Sequence, residues 1–570
     1  MVDCIHIYHN YKRIKIMEHK SLNKFFEESV KKHWDRPALS DYKGVTLYYR
    51  DMARRIEKIH IMFERSGVKR GDKVSLCSRN QSNWGVAFMA ILTYGAVPVP
   101  ILHEFTSTNI HHLVNHSESK VLFVGSVVWE GLSQQSMPGL DAIVLLDDFS
   151  LLYAKNNEIE YAHEHLNELF GKLYPKTFGP DSISYYEDKP DDLALINYTS
   201  GTSGFSKGVM LPYRAILSNV LFAIEVQPQM GSESNSVSML PSAHMYGLMF
   251  EFLFELFTGS HVHFLTRLPS PKIIIEAFKS VKPDVIISVP LVIEKIYKKK
   301  LEPMIERRDL KFLLKLPVIS QEIHKRINSE LDETFGKQYS EVIIGGAAFN
   351  RDAESFFKKI NFRFTVGYGM TECGPIITYA SWKDNKLHSC GKAAPRMQIK
   401  IDSLNQREIP GEILVKGDNV FLGYYKNDEA TKGVFTEDGW FRTGDLGVID
   451  EDGFLFIKGR CKSMILGSSG QNIYPEEIES EINNMSYVSE SLVIEDKGKL
   501  VALIYPDFDQ AATDGLSKDD IQALFEKQIK EYNESAANYN KISSVEIFPE
   551  EFVKTPKKSI KRYLYQRKNN

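Results

Sequence analysis

The sequence predicts an α/β protein: a large N-terminal domain of two doubly wound α/β layers plus a small β-barrel, followed by a small α+β C-terminal domain. Three observations carry this. Up to Cys373, short apolar runs bounded by turn or charged residues alternate with stretches of helical spacing, the pattern of buried parallel strands and crossover helices. After Cys373 the texture changes to short strands separated by turns, as in a small antiparallel barrel or sheet. From Lys462 onward a compact stretch of mixed character runs to a Lys-rich end. A chain of 570 residues has room for three or four folding units.

The elements follow in order. Leu22 to Lys32 has helical spacing, with Phe25, Phe26 and Val30 on one face. Ala38 to Tyr49 and Lys73 to Cys77 read as strands. Trp84 to Leu102 has no charged residue, but Gly95, Pro98 and Pro100 interrupt it, so it reads as a buried helix (83–93) and a buried strand (96–101) rather than a membrane span. Val121 to Val124 and Ala142 to Leu146 are short buried strands. The polar stretch from Asp147 to Asp192 reads as a connecting excursion. Leu193 to Tyr198 is a strand entering a Gly/Ser/Thr loop. A second α/β run follows, with strands at 237–240, 261–264, 285–288, 342–345 and 364–367 and helices at 246–257 and 273–280. The barrel strands are 399–401, 411–416 and 454–458.

Hydrophobic residues are 43% and charged residues 25%, which excludes disorder and fibrous classes. The net charge of −4 excludes a global basic field for nucleic acid. Five cysteines, odd in number and with no Cys-x-x-Cys, suit a reducing, cytoplasmic setting and give no metal or disulfide framework. Cys461, between Arg460 and Lys462, reads as an ordinary thiol. The first sixteen residues have no apolar core long enough for a secretory signal. They read as an upstream start or a loose tail before Met17. No amphipathic anchor stands out, so membrane association is expected to be peripheral at most.

The sharpest local signal is Tyr198-Thr-Ser-Gly-Thr-Ser-Gly-Phe-Ser-Lys-Gly. Its glycines let the backbone approach an anion closely. Successive N–H groups then form a nest for phosphate oxygens, with hydroxyls adding donors and Lys207 adding charge. It is not a Walker loop: Ser206 stands where glycine is needed, and Gly208 where Ser or Thr is needed. Downstream, Gly367-Tyr-Gly-Met-Thr-Glu combines an aromatic ring suited to a purine (Tyr368), a hydroxyl (Thr371) and a hard oxygen for Mg2+ (Glu372). Asp445, in Thr443-Gly-Asp, is an acceptor-only side chain suited to ribose hydroxyls. His244 precedes the apolar run that begins at Leu248.

In this order these segments resemble the adenylate-forming enzymes, which include acyl-CoA synthetases, luciferases and peptide-synthetase adenylation domains. The resemblance spans about Leu22 to Arg562. It implies an adenylate-forming domain over 17–461 and a mobile C-terminal domain over 462–570. It also implies roles. Thr199, Ser200, Gly201, Thr202, Ser203 and Gly204 would hold phosphate with Lys207. His244 would sit by the substrate carboxylate. Gly346 and Ala347 would line the adenine, and Tyr368 would stack on it. Thr371 would reach the α-phosphate, Glu372 the Mg2+, and Asp445 the ribose. Arg460 would reach ribose or phosphate, and Lys462 would stand at the hinge. The loop ending at Gly470 would approach the pantetheine arm of coenzyme A.

One segment departs from the family pattern. Where the family closes on Thr-Pro-Thr-Gly-Lys-Ile-x-Arg, this chain has Thr555-Pro-Lys-Lys-Ser-Ile-Lys-Arg. Ser559 occupies the lysine position, and a neutral hydroxyl supplies no charge to a developing anion. Lys558, one residue away, is the candidate replacement.

The expected activity is ATP-dependent activation of a carboxylic acid, a medium- to long-chain fatty acid by the apolar run 248–257, and transfer to coenzyme A. An aryl acid, a carrier protein acting in trans, and a non-catalytic homologue are the alternatives. The expected partners are the small molecules, with no nucleic acid.

Overall fold

The computed structural model describes residues 21–199, 206–267, 270–305, 307–466, 471–554 and 560–567. The fold is α/β, with mostly parallel pairing in the large N-terminal part and mostly antiparallel pairing after it. The first sheet has five strands in the order Val97–Pro100, Lys73–Cys77, Val121–Val124, Ala142–Leu145 and Leu151–Ala154. The first four are parallel and the last is an antiparallel edge. That edge strand and the helices Asn157–Glu164 and Leu166–Leu173 occupy the stretch expected to be a connecting excursion. The strand is a short, half-exposed Leu-Leu-Tyr-Ala and the two helices mix polar residues with a narrow buried face, so the stretch as a whole reads as polar.

The second sheet brings a correction. Its order is Asn235–Ser238, His261–Phe264, Pro37–Asp41 and Thr46–Tyr48. The single strand expected at 38–49 is a hairpin turning at Tyr42–Gly44, and Tyr49 already opens the helix Tyr49–Arg65. Pro37–Asp41 pairs with Thr46–Tyr48 in the hairpin and, on its other side, in parallel with His261–Phe264, more than two hundred residues away. A third parallel sheet holds Ile286–Ser288, Val342–Ile344 and Phe364–Val366.

The helix Ser82–Tyr94 explains its uncharged sequence by its place. Trp84 through Leu92 are buried around the whole circumference, because strands of both large sheets pack against it. It ends at Gly95, whose φ of +86° is the left-handed C-cap, and where a Cβ would come within 2.8 Å of the Tyr186 ring. No helix among the described residues is long and apolar enough to cross a membrane.

Beyond Cys373, Met397–Asp402, Gly411–Gly417, Phe441–Ile449 and Leu455–Arg460 form an antiparallel sheet. The last described part has a sheet of Val488–Asp496, Lys499–Pro506 and Ile542–Ile547, covered by Pro475–Ile482 and Lys518–Ser535. Its apolar clusters are drawn wholly from residues after Arg460, so this part builds its own core.

The strand His261–Phe264 carries a pH-sensitive pair. The rings of His261 and His263 lie 3.9 Å apart. Burial pushes His261 down to about 4; burial, with His261 beside it, pushes His263 down to about 3. In the unfolded chain both protonate below about 6.5. The unfolded state therefore binds more protons between pH 6.5 and 3, and folded stability falls as pH drops through that window. Each histidine contributes a slope of at most about 1.4 kcal/mol per pH unit. His263→Gln is expected to give a shallower fall of Tm between pH 6.5 and 4 than the wild type, measured by thermal denaturation across that range.

Candidate functional site

Thr199, Gly346 and Tyr368 stand at or just past the carboxyl ends of strands, where open α/β sheets place their ligands, while Lys207 opens its strand and Asp445 lies within one. Strands Leu193–Thr199 and Lys207–Pro212 are antiparallel, with Thr199 opposite Lys207. The Gly/Ser/Thr loop is thus the connection of a hairpin whose stem is held in register. Ser200, Gly201, Thr202, Ser203 and Gly204 lie outside the described residues, as do Gly470 and Lys558. The stem is braced from the side: Tyr198 hydroxyl and His116 Nδ1 share a hydrogen bond of 2.7 Å.

Lys207 and Glu372, far apart in sequence, meet through Tyr424. Gly423–Tyr424 pairs with the strand Lys207–Pro212. The Lys207 ammonium lies 4.5 Å from the centre of the Tyr424 ring. The Tyr424 hydroxyl donates to Glu372 Oε1 at 3.0 Å. Burial and the Glu372 carboxylate hold this phenol well above its ordinary range, so it stays a donor. The Glu372 backbone is fixed as well, since its carbonyl accepts from Phe421 N at 2.9 Å. Thr371 and Glu372 are both buried in the short turn Thr371–Cys373. The Tyr424 hydrogen bond falls on one oxygen of the Glu372 carboxylate, and the lone pairs of the other fit a hard cation such as Mg2+.

A second cluster centres on Asp445, which is 5% exposed. The Tyr368 hydroxyl donates to Asp445 Oδ2 at 2.6 Å, and Arg460 Nε lies 3.1 Å from Oδ1. Asp445 and Arg460 are register partners on adjacent strands, so the pair is set by the sheet. Burial pushes the Asp445 carboxyl up, while Arg460 and Tyr368 pull it down. Arg460→Ala removes the cation that favours the carboxylate. Because the arginine side chain is largely exposed, the expected effect is modest: about fivefold weaker ATP binding, restored in part by Arg460→Lys, as read by calorimetric titration.

Gly346 and Ala347 follow the strand Val342–Ile344 and are exposed. Gly346 has a φ of +91°, a conformation other residues rarely adopt. The register of Ile344 with Val366 sets Gly345–Gly346 beside Gly367–Tyr368. His244 is half-buried and caps Met245–Gly247, its Nδ1 accepting from Tyr246 N at 3.3 Å. The helix continues as a π-helical segment, Leu248–Leu253, a rare form that is frequent at functional sites. Two bonds tie this entry to the rest: Asn197 Nδ2 donates to Ala243 O at 2.9 Å, and Tyr246 hydroxyl donates to Ile343 O at 3.0 Å. Lys462 is exposed in the turn that leaves Arg460. Burial, with Glu412 and Asp445 nearby, pushes the Cys461 thiol up to about 11, which disfavours the reactive thiolate.

Sequence reasoning missed Tyr424. The pair Tyr424–Tyr425 was visible, but only its strand pairing with residues 209–210 ties it to the phosphate loop. It also missed the contacts across the 462 boundary. There Lys458 Nζ and Glu477 Oε1 are 3.1 Å apart, Arg351 reaches the same oxygen at 3.6 Å, and Lys298 Nζ donates to Asn483 O at 2.6 Å.

Residues 26–425 match the family model described as AMP-binding enzyme, and residues 462–568 match the AMP-binding enzyme C-terminal domain. The chain is 27% identical over 492 residues to a long-chain-fatty-acid–CoA ligase of Escherichia coli O6:H1, covering 81% of each chain. It is 26% identical over 601 residues to a chloroplastic long-chain-fatty-acid–[acyl-carrier-protein] ligase of Arabidopsis thaliana, covering 91% of this chain and 81% of that one. Among solved structures, an anthranilate CoA ligase in complex with anthranoyl-AMP matches with a TM-score of 0.76 at 17% identity, over 96% of both chains.

Proposed function

The chain belongs to the AMP-binding enzyme family, and on that premise we propose that it is an AMP-forming acid–thiol ligase acting on a medium- to long-chain fatty acid. One observation carries the reading: a lysine at the mouth of a Gly/Ser/Thr hairpin is joined through Tyr424 to a buried glutamate.

The chemistry has two halves. A carboxylate oxygen attacks the α-phosphorus of ATP, the bond to the pyrophosphate oxygen breaks, and acyl-AMP and pyrophosphate result. A thiol then attacks the acyl carbon and AMP leaves. The protein positions the reactants and stabilises charge. Lys207 faces the phosphates, with the hairpin loop Ser200–Gly204 proposed to cradle them alongside Thr199. Thr371 donates to the α-phosphate. Glu372 would hold Mg2+, which supplies charge neutralisation to phosphate oxygens when bound. Asp445, oriented by Tyr368 and Arg460, accepts from the ribose, and Gly346 and Ala347 leave a flat, uncrowded wall for the base. His244 stands at the entry to the apolar helix proposed to line the acyl chain.

For the second half, residues 462–570 turn as a body about Lys462, bringing the loop at Gly470 toward the acceptor. The acceptor is coenzyme A by likeness to the bacterial ligase. A carrier protein is the second reading, favoured by the plant relative's name. Lys558 is proposed to take the charge-stabilising role that Ser559 cannot fill.

Acid-dependent ATP–pyrophosphate exchange with fatty acids of graded length, alongside aryl acids, tests this. Exchange is expected to peak at one fatty-acid length and to be lost in Lys558→Ala. ATP binding with no exchange for any acid overturns it in favour of a non-catalytic homologue, a reading motivated by Ser559. Exchange confined to aryl acids overturns the substrate class alone.

A further inference from the structure

The segment between the strands Ile286–Ser288 and Val342–Ile344 is helical, and the site described above does not use its outer corner. Residues 295–326 hold ten Lys or Arg against four Asp or Glu, in a chain whose net charge is −4. The corner is the turn between the helices Arg308–Leu313 and Pro317–Thr334. There Phe312 is 66% exposed, Leu316 40%, Val318 82% and Ile319 40%. The long helix does have a buried face, formed by Ser320, His324, Ile327 and Leu331 at helical spacing. Val318 and Ile319 precede that face and are left outside. Lys315, Lys325 and Arg326 are exposed around the corner. Asp309 and Arg307 are paired with each other at 2.8 Å, which cancels one charge of each sign and leaves the surplus unchanged, and Arg326 Nε lies 4.0 Å from Glu330 Oε1.

We propose that this corner docks the protein on an anionic lipid surface, with Phe312, Leu316, Val318 and Ile319 entering the headgroup–acyl boundary and the surrounding lysines and arginines meeting lipid phosphates and carboxylates. Apolar side chains ringed by basic ones are the pattern of interfacial membrane binding. The charge selects the occupant. A surplus of cations complements an anionic leaflet, and four projecting side chains are far fewer than the roughly twenty residues a side of a standard protein interface. The sequence conceals this anchor because its apolar residues are split between the end of one helix, a turn and the start of the next, so no single helix carries all four on one face.

The test is flotation of the full chain with vesicles of phosphatidylcholine alone or with phosphatidylserine added, without acid or ATP, so that its result does not depend on the proposed ligase activity. Binding is expected to the anionic vesicles only and to fall with salt. Lys315→Ala and Lys325→Ala are each expected to lower the partition coefficient about fivefold. The double change Phe312→Asp with Val318→Asp should abolish binding while leaving Tm unchanged, since both side chains project into solvent. Equal binding to neutral and anionic vesicles overturns the proposal, as does no binding at all, or a double variant that floats like the wild type. A wild type that self-associates in light scattering and does not float assigns the corner to a second copy of the chain and also overturns it.

Discussion

Lys207→Met is expected to lower acid-dependent ATP–pyrophosphate exchange by about 10²–10³-fold, the usual loss when one preorganised charge is taken from a transition state. The lysine is placed by two independent constraints. Its backbone is in register with Thr199 at the end of the hairpin, and its ammonium is seated on the Tyr424 ring. Methionine keeps the length and removes the charge. Folding should be little affected, because a half-buried cation on an aromatic face contributes about 0.5–2 kcal/mol. The discriminating pair of readouts is the exchange rate and Tm. A large fall in rate with Tm within a few degrees assigns Lys207 to the chemistry. A variant that retains wild-type exchange removes Lys207 from the phosphate site.

Phe252→Ala is expected to cost about 3–5 kcal/mol of stability, read from the shift of the denaturant midpoint. Phe252 is fully buried in the π-helical segment that follows His244. Its ring packs edge-on against Trp84 and Phe88 at centroid distances of 6.0 Å and lies near Phe264 at 5.9 Å. At Gly85 an added Cβ would come within 2.8 Å of it, so the glycine is what lets the buried helix approach this closely. The alanine cavity would therefore open between the central helix, the second sheet and the helix that begins at His244. Phe252→Leu, nearer in volume, should cost about 1.5 kcal/mol or less. Equal costs for the two variants would show that the ring is not packed as described.

The two clusters of the candidate site were legible in the sequence to different degrees. The phosphate hairpin and Gly367–Glu372 announce themselves because their chemistry is local. A run of glycines and hydroxyls, or a tyrosine, threonine and glutamate within five residues, is visible without knowing what lies across from it. The Tyr368–Asp445–Arg460 cluster was legible only as separate candidates. Its hydrogen bond from Tyr368 to Asp445 spans 77 positions, and its ion pair depends on the register of two strands of the antiparallel sheet. Tyr424 was not legible at all, because a tyrosine in a two-residue strand carries no signal until the pairing lays it against Lys207.

By itself the sequence determined the alternation of buried strands and helices, the burial of Ser82–Tyr94, and the residue types that handle phosphate and a hard cation. These follow from hydrophobic period and side-chain chemistry, which neighbouring residues decide. The tertiary structure alone decided that Pro37–Asp41 crosses to the second sheet, that the stretch after Asp147 closes the first one, that Tyr424 links Lys207 to Glu372, and that four apolar side chains project at a basic corner. Strand partnership and exposure arise from contacts between distant parts of the chain, and a local pattern of residues does not encode which distant part arrives.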